Sequence, residues 1–316
     1  MKKADRIAAA VAGATWGGFI AWFGMSSVPN LMARDFSWPW RAARALLQGH
    51  DPYQVVSATG DYPFNVGLFY PLPAAVLALP VAPFLPAIAG AIFVAVSAGL
   101  LGWAVSGEGW RRMSLFLSAP FCMAALLGQW SILLTAAALL PTLQFVCVAK
   151  PTIGFATWLH RPSWRGVFGG IALCVVALAF QPDWPLRWLE SVRNAISYRA
   201  PALSLTGCFL LLGFLRWRRR EGRVFLGMSL VPQLPVFYDQ LPLWLVPSTA
   251  WRSLLLTALS WVAWFMWFPS RALPTQFAVA RPLVLLLIYA PALVMLLLLP
   301  AREDQPAPKE DAVPAT

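Results

Sequence analysis

The sequence predicts an all-α fold, a polytopic membrane bundle of about ten transmembrane helices with short amphipathic helices in its first outer loop. Three observations predict it. Hydrophobic residues make up 59% of the 316-residue chain and charged residues 12%, against roughly 45–50% and 25% in soluble domains. Several uncharged runs approach the ~20 residues that a spanning helix needs. Tryptophans gather near the ends of these runs, at Trp22, Trp103, Trp184, Trp188 and Trp267, as in the aromatic belts of membrane interfaces.

The charge pattern fits the same class. Of the net +11, the largest cluster is Arg216 to Arg223, a short loop between apolar runs. Such loops are retained in the cytoplasm, so the charge is a topology signal and not a nucleic-acid one. Cys122, Cys147, Cys174 and Cys208 lie inside apolar runs without a Cys-x-x-Cys pair, and read as packing residues.

In order, the first span runs from Ile7 to Met25 with its basic end inside. Residues 26–69 then form the largest extracytoplasmic loop, where a membrane enzyme places its chemistry. Within it a helix begins near Ser37, a possible cap, with Pro39 in its first turn. Gly49 ends it in a left-handed conformation, and Asp51-Pro52 turns the chain. Arg41, Arg44 and Gln48 share one face, and Trp40, Ala43 and Leu47 another, as on a helix lying at a membrane surface.

Residues 70–86 are apolar but broken by prolines. They either cross or re-enter; re-entry returns Arg111 and Arg112 to the inside, as charge bias prefers. Met113 to Leu127 rises to Gly128-Gln129-Trp130-Ser131, and Ile132 to Ala149 returns to Lys150. Gly166 to Phe180 leads out to a second surface helix, and Ala202 to Leu215 returns to the basic loop. Val224 to Phe237 leads to Tyr238-Asp239, Leu241 to Ala250 comes back, and residues 254–268 and 282–300 supply two more spans. Residues 1–301 thus make one membrane domain. Residues 302–316, charged and proline-bearing, make a disordered cytoplasmic tail.

An acid followed by a two-arginine helix face at the membrane boundary points to chemistry on an anionic, lipid-borne substrate. The alternative is an interfacial helix that covers the bundle, with Asp35 solvated before it. Other polar residues also read two ways. Asp51 reads chiefly as a turn former, and Gln129 as a helix-to-helix hydrogen bonder or a sugar ligand. Tyr238-Asp239 stands at the end of a span, where ionisable residues are functional candidates. His50 and His160 are too scattered for a metal site.

Four ordered pieces resemble a known family. They are Asp35-Phe36 with Ala43-Arg44-Ala45-Leu46-Leu47-x-Gly49-x-Asp51-Pro52-Tyr53; Phe69-Tyr70-Pro71-Leu72-Pro73 leading to Leu79-Pro80 and Leu85-Pro86; Leu127-Gly128-Gln129-Trp130-Ser131-Ile132-Leu133-Leu134 with Lys150-Pro151; and Tyr238-Asp239. Together they resemble the GT-C superfamily of multi-spanning glycosyltransferases, in particular glycosyltransferase family 87, which uses polyprenyl-phosphate-mannose. They cover the first half of the chain well and the second half poorly. The interval from Gln129 to Lys150 is short for the family, and loss of one crossing there moves Lys150 to the opposite face.

The resemblance implies a GT-C-type bundle that transfers a hexose, mannose foremost, from a polyprenyl-phosphate donor to a glycolipid or glycan acceptor with inversion. Asp35 is then the general base. Arg41 and Arg44 are the local cations for the departing lipid phosphate. Asp51, Tyr53, Gln129, Lys150, Tyr238 and Asp239 are the substrate-binding candidates. The sequence offers no phosphate-cradling glycine loop and no Asp-x-Asp motif, so neither cofactor nor metal is expected, and no nucleic-acid partner. The setting is the inner or plasma membrane, with both termini cytoplasmic and the site outside. The competing classes are a transporter or flippase for lipid-linked sugars and a non-catalytic membrane subunit.

Overall fold

Prolines, more than hydropathy, set the helix lengths of this protein. Its structure, a computed structural model, describes residues 2–27, 35–64, 67–193, 199–234 and 236–300. Among these residues every regular element is helical. In chain order the α-helices are α1 (Lys3–Ser27), α2 (Ser37–Leu47), α3 (Pro52–Val55), α4 (Leu72–Ala78), α5 (Pro86–Ser106), α6 (Ala119–Leu126) and α7 (Ser131–Leu139). They continue with α8 (Pro151–Trp158), α9 (Trp164–Phe180), α10 (Trp184–Arg193), α11 (Arg220–Leu230), α12 (Ala250–Trp267), α13 (Gln276–Val284) and α14 (Ala290–Leu297). A π-helical turn, Leu285–Tyr289, joins the last two into one rod.

The expected count of about ten spans is not what the chain forms. Among the described residues four helical stretches are long and apolar enough to cross a bilayer: Lys3–Ser27, Pro86–Ser106, Ala250–Ser270 and Gln276–Leu297. A fifth arises if α9 and α10, bent by 97° at their junction, count as one. These long apolar helices make the protein a helical membrane protein. The other apolar runs are cut into shorter pieces, from about 12 Å for the eight-residue α6 and α8 to about 24 Å for the 3₁₀ segment Leu205–Arg216.

Residues 131–158 show why. Instead of one crossing the chain makes three short passes: α7, the 3₁₀ segment Pro141–Ala149, and α8. Pro141 and Pro151 begin the second and third, each withholding the N–H that a continuing helix needs. An eight-residue helix rises only about 12 Å. The lower turns meet where the His160 ring nitrogen lies 3.0 Å from the Ala138 carbonyl and the Gln144 amide donates to the Arg161 carbonyl at 2.7 Å. The upper turns meet where the Lys150 ammonium donates to Gln129 Oε1 at 3.2 Å. The shortened interval therefore keeps Lys150 beside Gln129 by doubling back.

α1 and α5 pack antiparallel with their backbones close together. A Cβ on Gly13 or Gly17 would come within 2.7 Å of Ala98, the small-residue contact by which membrane helices approach closely. Arg6, near the start of α1, stacks 4.0 Å above the Trp103 ring near the end of α5. Just beyond α5, Glu108 receives Arg111 at 3.5 Å, Arg161 at 2.6 Å, Arg220 at 3.1 Å and the buried Arg112. Arg112 also donates to the Leu245 carbonyl at 2.7 Å. Arg6, Arg111, Arg112, Arg161 and Arg220 thus share one end of the bundle. Residues 72–81 form a single ten-residue apolar helix, half what a crossing requires. The 302–316 tail lies outside the described residues. The four cysteines are free, and Cys208 is exposed and not packed inside.

Candidate active site

α2 begins and ends for different local reasons. Its start carries no side-chain cap: Phe36 holds the cap position, and Ser37 is already the first helical residue. Phe36 is anchored by its ring instead, stacked on Phe93 with centroids 4.1 Å apart. The end is a paired reverse turn. The His50 N–H donates to the Ala45 carbonyl at 2.9 Å and the Gly49 N–H to the Leu46 carbonyl at 3.1 Å. Gly49, at φ +74°, supplies the left-handed residue this motif requires. Of the apolar face, Trp40 and Ala43 are buried while Leu47 stays exposed.

Asp35 stands immediately before this helix and is held by the loop between α6 and α7. Its N–H donates to the Leu127 carbonyl at 3.1 Å, and its carbonyl accepts from the Trp38 N–H at 3.2 Å. Gly128 makes the approach possible. It sits at φ +63°, and a Cβ there would lie 2.9 Å from Phe36 Cβ and 3.0 Å from Met25 Cε. Gly-Gln therefore has a physical content: the glycine lets the loop lie against Asp35-Phe36, and the next residue faces the carboxylate.

Around that carboxylate the chain gathers polar groups from distant segments. The Tyr70 hydroxyl donates to Asp35 Oδ2 at 3.3 Å. The Lys150 ammonium donates to Asp239 Oδ1 at 2.7 Å as well as to Gln129, and lies 5.6 Å from the centre of the Tyr238 ring. The Ser131 hydroxyl donates to the Tyr238 carbonyl at 2.6 Å, fixing that segment to the start of α7. Asp239 and Gln129 are buried, whereas Asp35 keeps a partial opening to solvent. Burial raises the Asp35 pKa above its ordinary 3.8, and Asp239 adds to the rise; the Lys150 charge, Gln129 and Tyr70 oppose it. The upward effect wins. Gln129 turns its amide towards Asp35, and Trp130 Nε1 is a buried donor without a hydrogen-bond partner in this cluster.

The other candidates fall elsewhere. The Arg41 guanidinium lies 5.3 Å from the Phe64 ring centre and donates to the Ser37 carbonyl at 3.3 Å. Arg44 lies 5.0 Å from that of Trp40. Burial lowers the Arg41 pKa from its usual value, and neither arginine perturbs Asp35. The cation facing Asp35 is Lys150. Asp51 caps α3, accepting from the Tyr53 N–H at 2.9 Å, and also accepts from the Gln181 amide at 2.9 Å. Tyr53 acts at one remove: its hydroxyl donates to the Tyr70 carbonyl at 3.1 Å.

Sequence reasoning missed Tyr70 and Trp130 as site residues, although both stand inside quoted motifs. Tyr70 is positioned from α10 as well, where Trp188 donates to the Phe69 carbonyl at 3.0 Å and Ser191 to the Leu68 carbonyl at 2.6 Å. The family resemblance finds no independent support: no family model matches the chain, and no match is found among characterised proteins or solved structures.

Proposed function

We propose that this protein is a membrane glycosyltransferase that moves a hexose, mannose foremost, from a polyprenyl-phosphate donor to an acceptor hydroxyl with inversion. The observation that carries the reading is the meeting of Asp35, Gln129, Lys150 and Asp239, brought from three separate parts of the chain to one half-buried carboxylate. Asp35 takes the acceptor's hydroxyl proton as the new oxygen–carbon bond forms at the sugar's anomeric centre. The bond from that carbon to the lipid phosphate breaks on the opposite face, and the phosphate leaves with the electron pair. A carboxylate with a raised pKa holds such a proton better than an ordinary one.

In this reading the charge on the leaving phosphate is met by Lys150 rather than by Arg41 and Arg44, whose guanidinium groups lie against aromatic rings. The unpartnered indole donor of Trp130 suits an oxygen of the sugar or phosphate. The arginine-rich end around Glu108 is taken as cytoplasmic from its positive charge, which puts the Asp35 end towards the outside.

The test is label transfer in membranes from a panel of polyprenyl-phosphate sugars. Polyprenyl-phosphate-mannose should give labelled product, and Asp35→Asn should reduce the rate by about 10²–10⁴-fold with the protein still folded. A near wild-type rate in that variant removes Asp35 as the base. The interior Lys150–Asp239 pair favours a second reading, a carrier for lipid-linked sugars. A carrier would move the label across sealed vesicles without making a new glycosidic bond.

A further inference from the structure

A polar concavity lies at the other end of α2 from Asp35. It is a cleft of about 310 Å³ between the end of α2 and the bend that joins α9 to α10. His50, Asp51, Phe180, Gln181, Asp183 and Arg187 line it. α2 itself separates it from Asp35 by about 16 Å.

The polar groups of the cleft are arranged but not saturated. Gln181 is buried, gives its amide N–H to Asp51 at 2.9 Å, and leaves its own buried Oε1 with no partner. The Arg187 guanidinium bridges two carboxylates, 2.8 Å from Asp183 and 3.7 Å from Asp51. That occupies the position between the acids and leaves further N–H groups turned elsewhere, because a guanidinium carries five. Phe180 is exposed beside them. Acceptors, donors and an apolar ring face side by side match a ligand whose hydroxyls both give and accept hydrogen bonds and whose ring carries C–H faces. That ligand is a sugar.

We infer that this cleft binds a distal sugar unit of an oligosaccharide acceptor whose terminal hydroxyl reaches Asp35. The inference rests on the proposed sugar transfer for its direction but not for its binding chemistry. The 16 Å offset makes the cleft a reader of acceptor length: a chain of several units fills both places, and a monosaccharide cannot.

The test uses the full-length protein in nanodiscs, without donor, and saturation-transfer NMR with mannotetraose and methyl α-mannoside. Mannotetraose should bind at least tenfold more tightly than the monosaccharide. Gln181→Met, which keeps the side chain's length but removes its amide, should erase that advantage. Phe180→Leu and Asp183→Asn, at more exposed positions, should weaken it by several-fold and so serve if Gln181→Met fails to fold. No preference for the longer sugar, or a preference that survives all three cleft variants, overturns the inference. Cleft-dependent binding in a protein that shows no transfer would refute the enzyme reading and leave the cleft standing.

Discussion

Replacing Lys150 by Met gives a large effect whose parts can be separated. The ammonium holds Asp239 at 2.7 Å and Gln129 Oε1 at 3.2 Å, and the Asp239 side chain is only 6% exposed. Removing the cation strands a buried carboxylate, a loss of about 3–5 kcal/mol when one partner of a buried pair is deleted. The amide oxygen also loses its donor, at about 1–3 kcal/mol if water cannot reach it. Lys150→Met should therefore unfold at a clearly lower temperature in detergent micelles, followed by tryptophan near-UV circular dichroism. Adding Asp239→Leu removes the stranded charge, and the double variant should recover most of the loss, because apolar replacement of a whole buried pair is often neutral or stabilising. Transfer activity should stay absent in that restored double variant if Lys150 meets the leaving phosphate. A double variant as unstable as the sum of its singles refutes the pair as the unit of stability. Activity that returns with stability assigns Lys150 to the scaffold.

Other measurements check neighbouring parts of the argument. Gly128→Ala places a Cβ in the left-handed region and against Phe36; it should cost about 1–3 kcal/mol and slow transfer, and an unchanged melting temperature would mean the loop does not press on Asp35. Because burial raises the Asp35 pKa, the native state keeps that proton to higher pH than the unfolded chain does. The stability Asp35 contributes is therefore present at low pH and lost as pH rises from 3.8 through the raised value. Asp35→Asn should flatten this fall and melt no lower than the parent at pH 7; a parent that gains stability over that range would contradict it. In a background with the exposed Cys208 replaced, Thr59→Cys should react with an impermeant thiol reagent in intact cells, while Arg218→Cys should react only after permeabilisation. The opposite pattern would invert the proposed topology.

What could be read from the chain was local. Gly49 and Asp51-Pro52 announced the end of α2 and the turn after it, since a left-handed glycine and an Asp side chain over the next N–H act within a few residues. The class was legible too, because α1, α5, α12 and the 276–297 rod are long apolar helices. The number of crossings was not. Hydropathy treats Ile132 to Ala149 as one apolar run, whereas Pro141 folds it into two short passes. The site's cation was legible only as one candidate among several, through the Lys150-Pro151 piece of the resemblance. Arg41 and Arg44 share a face by helical period, but period does not say what a face meets, and theirs meets Phe64 and Trp40. Lys150 reaches Asp35 through contacts between residues 21 to 115 positions apart, which no local pattern encodes. Ser37 looked like a cap, yet ring stacking at Phe36 fixes the helix start.

Glu108 has a consequence for how the chain is made. α1 and α5 can zip together, glycine against alanine, once the first 106 residues have been inserted. The carboxylate that follows them must wait: Arg111 and Arg112 come at once, Arg161 only after the three short passes, and Arg220 more than a hundred residues later. A single acid thus acts as a clasp closed in order of synthesis, and its last bond with Arg220 joins the late-made helices to the early pair. Until that loop emerges, the hairpin of α1 and α5 is a finished piece attached to an unfinished protein.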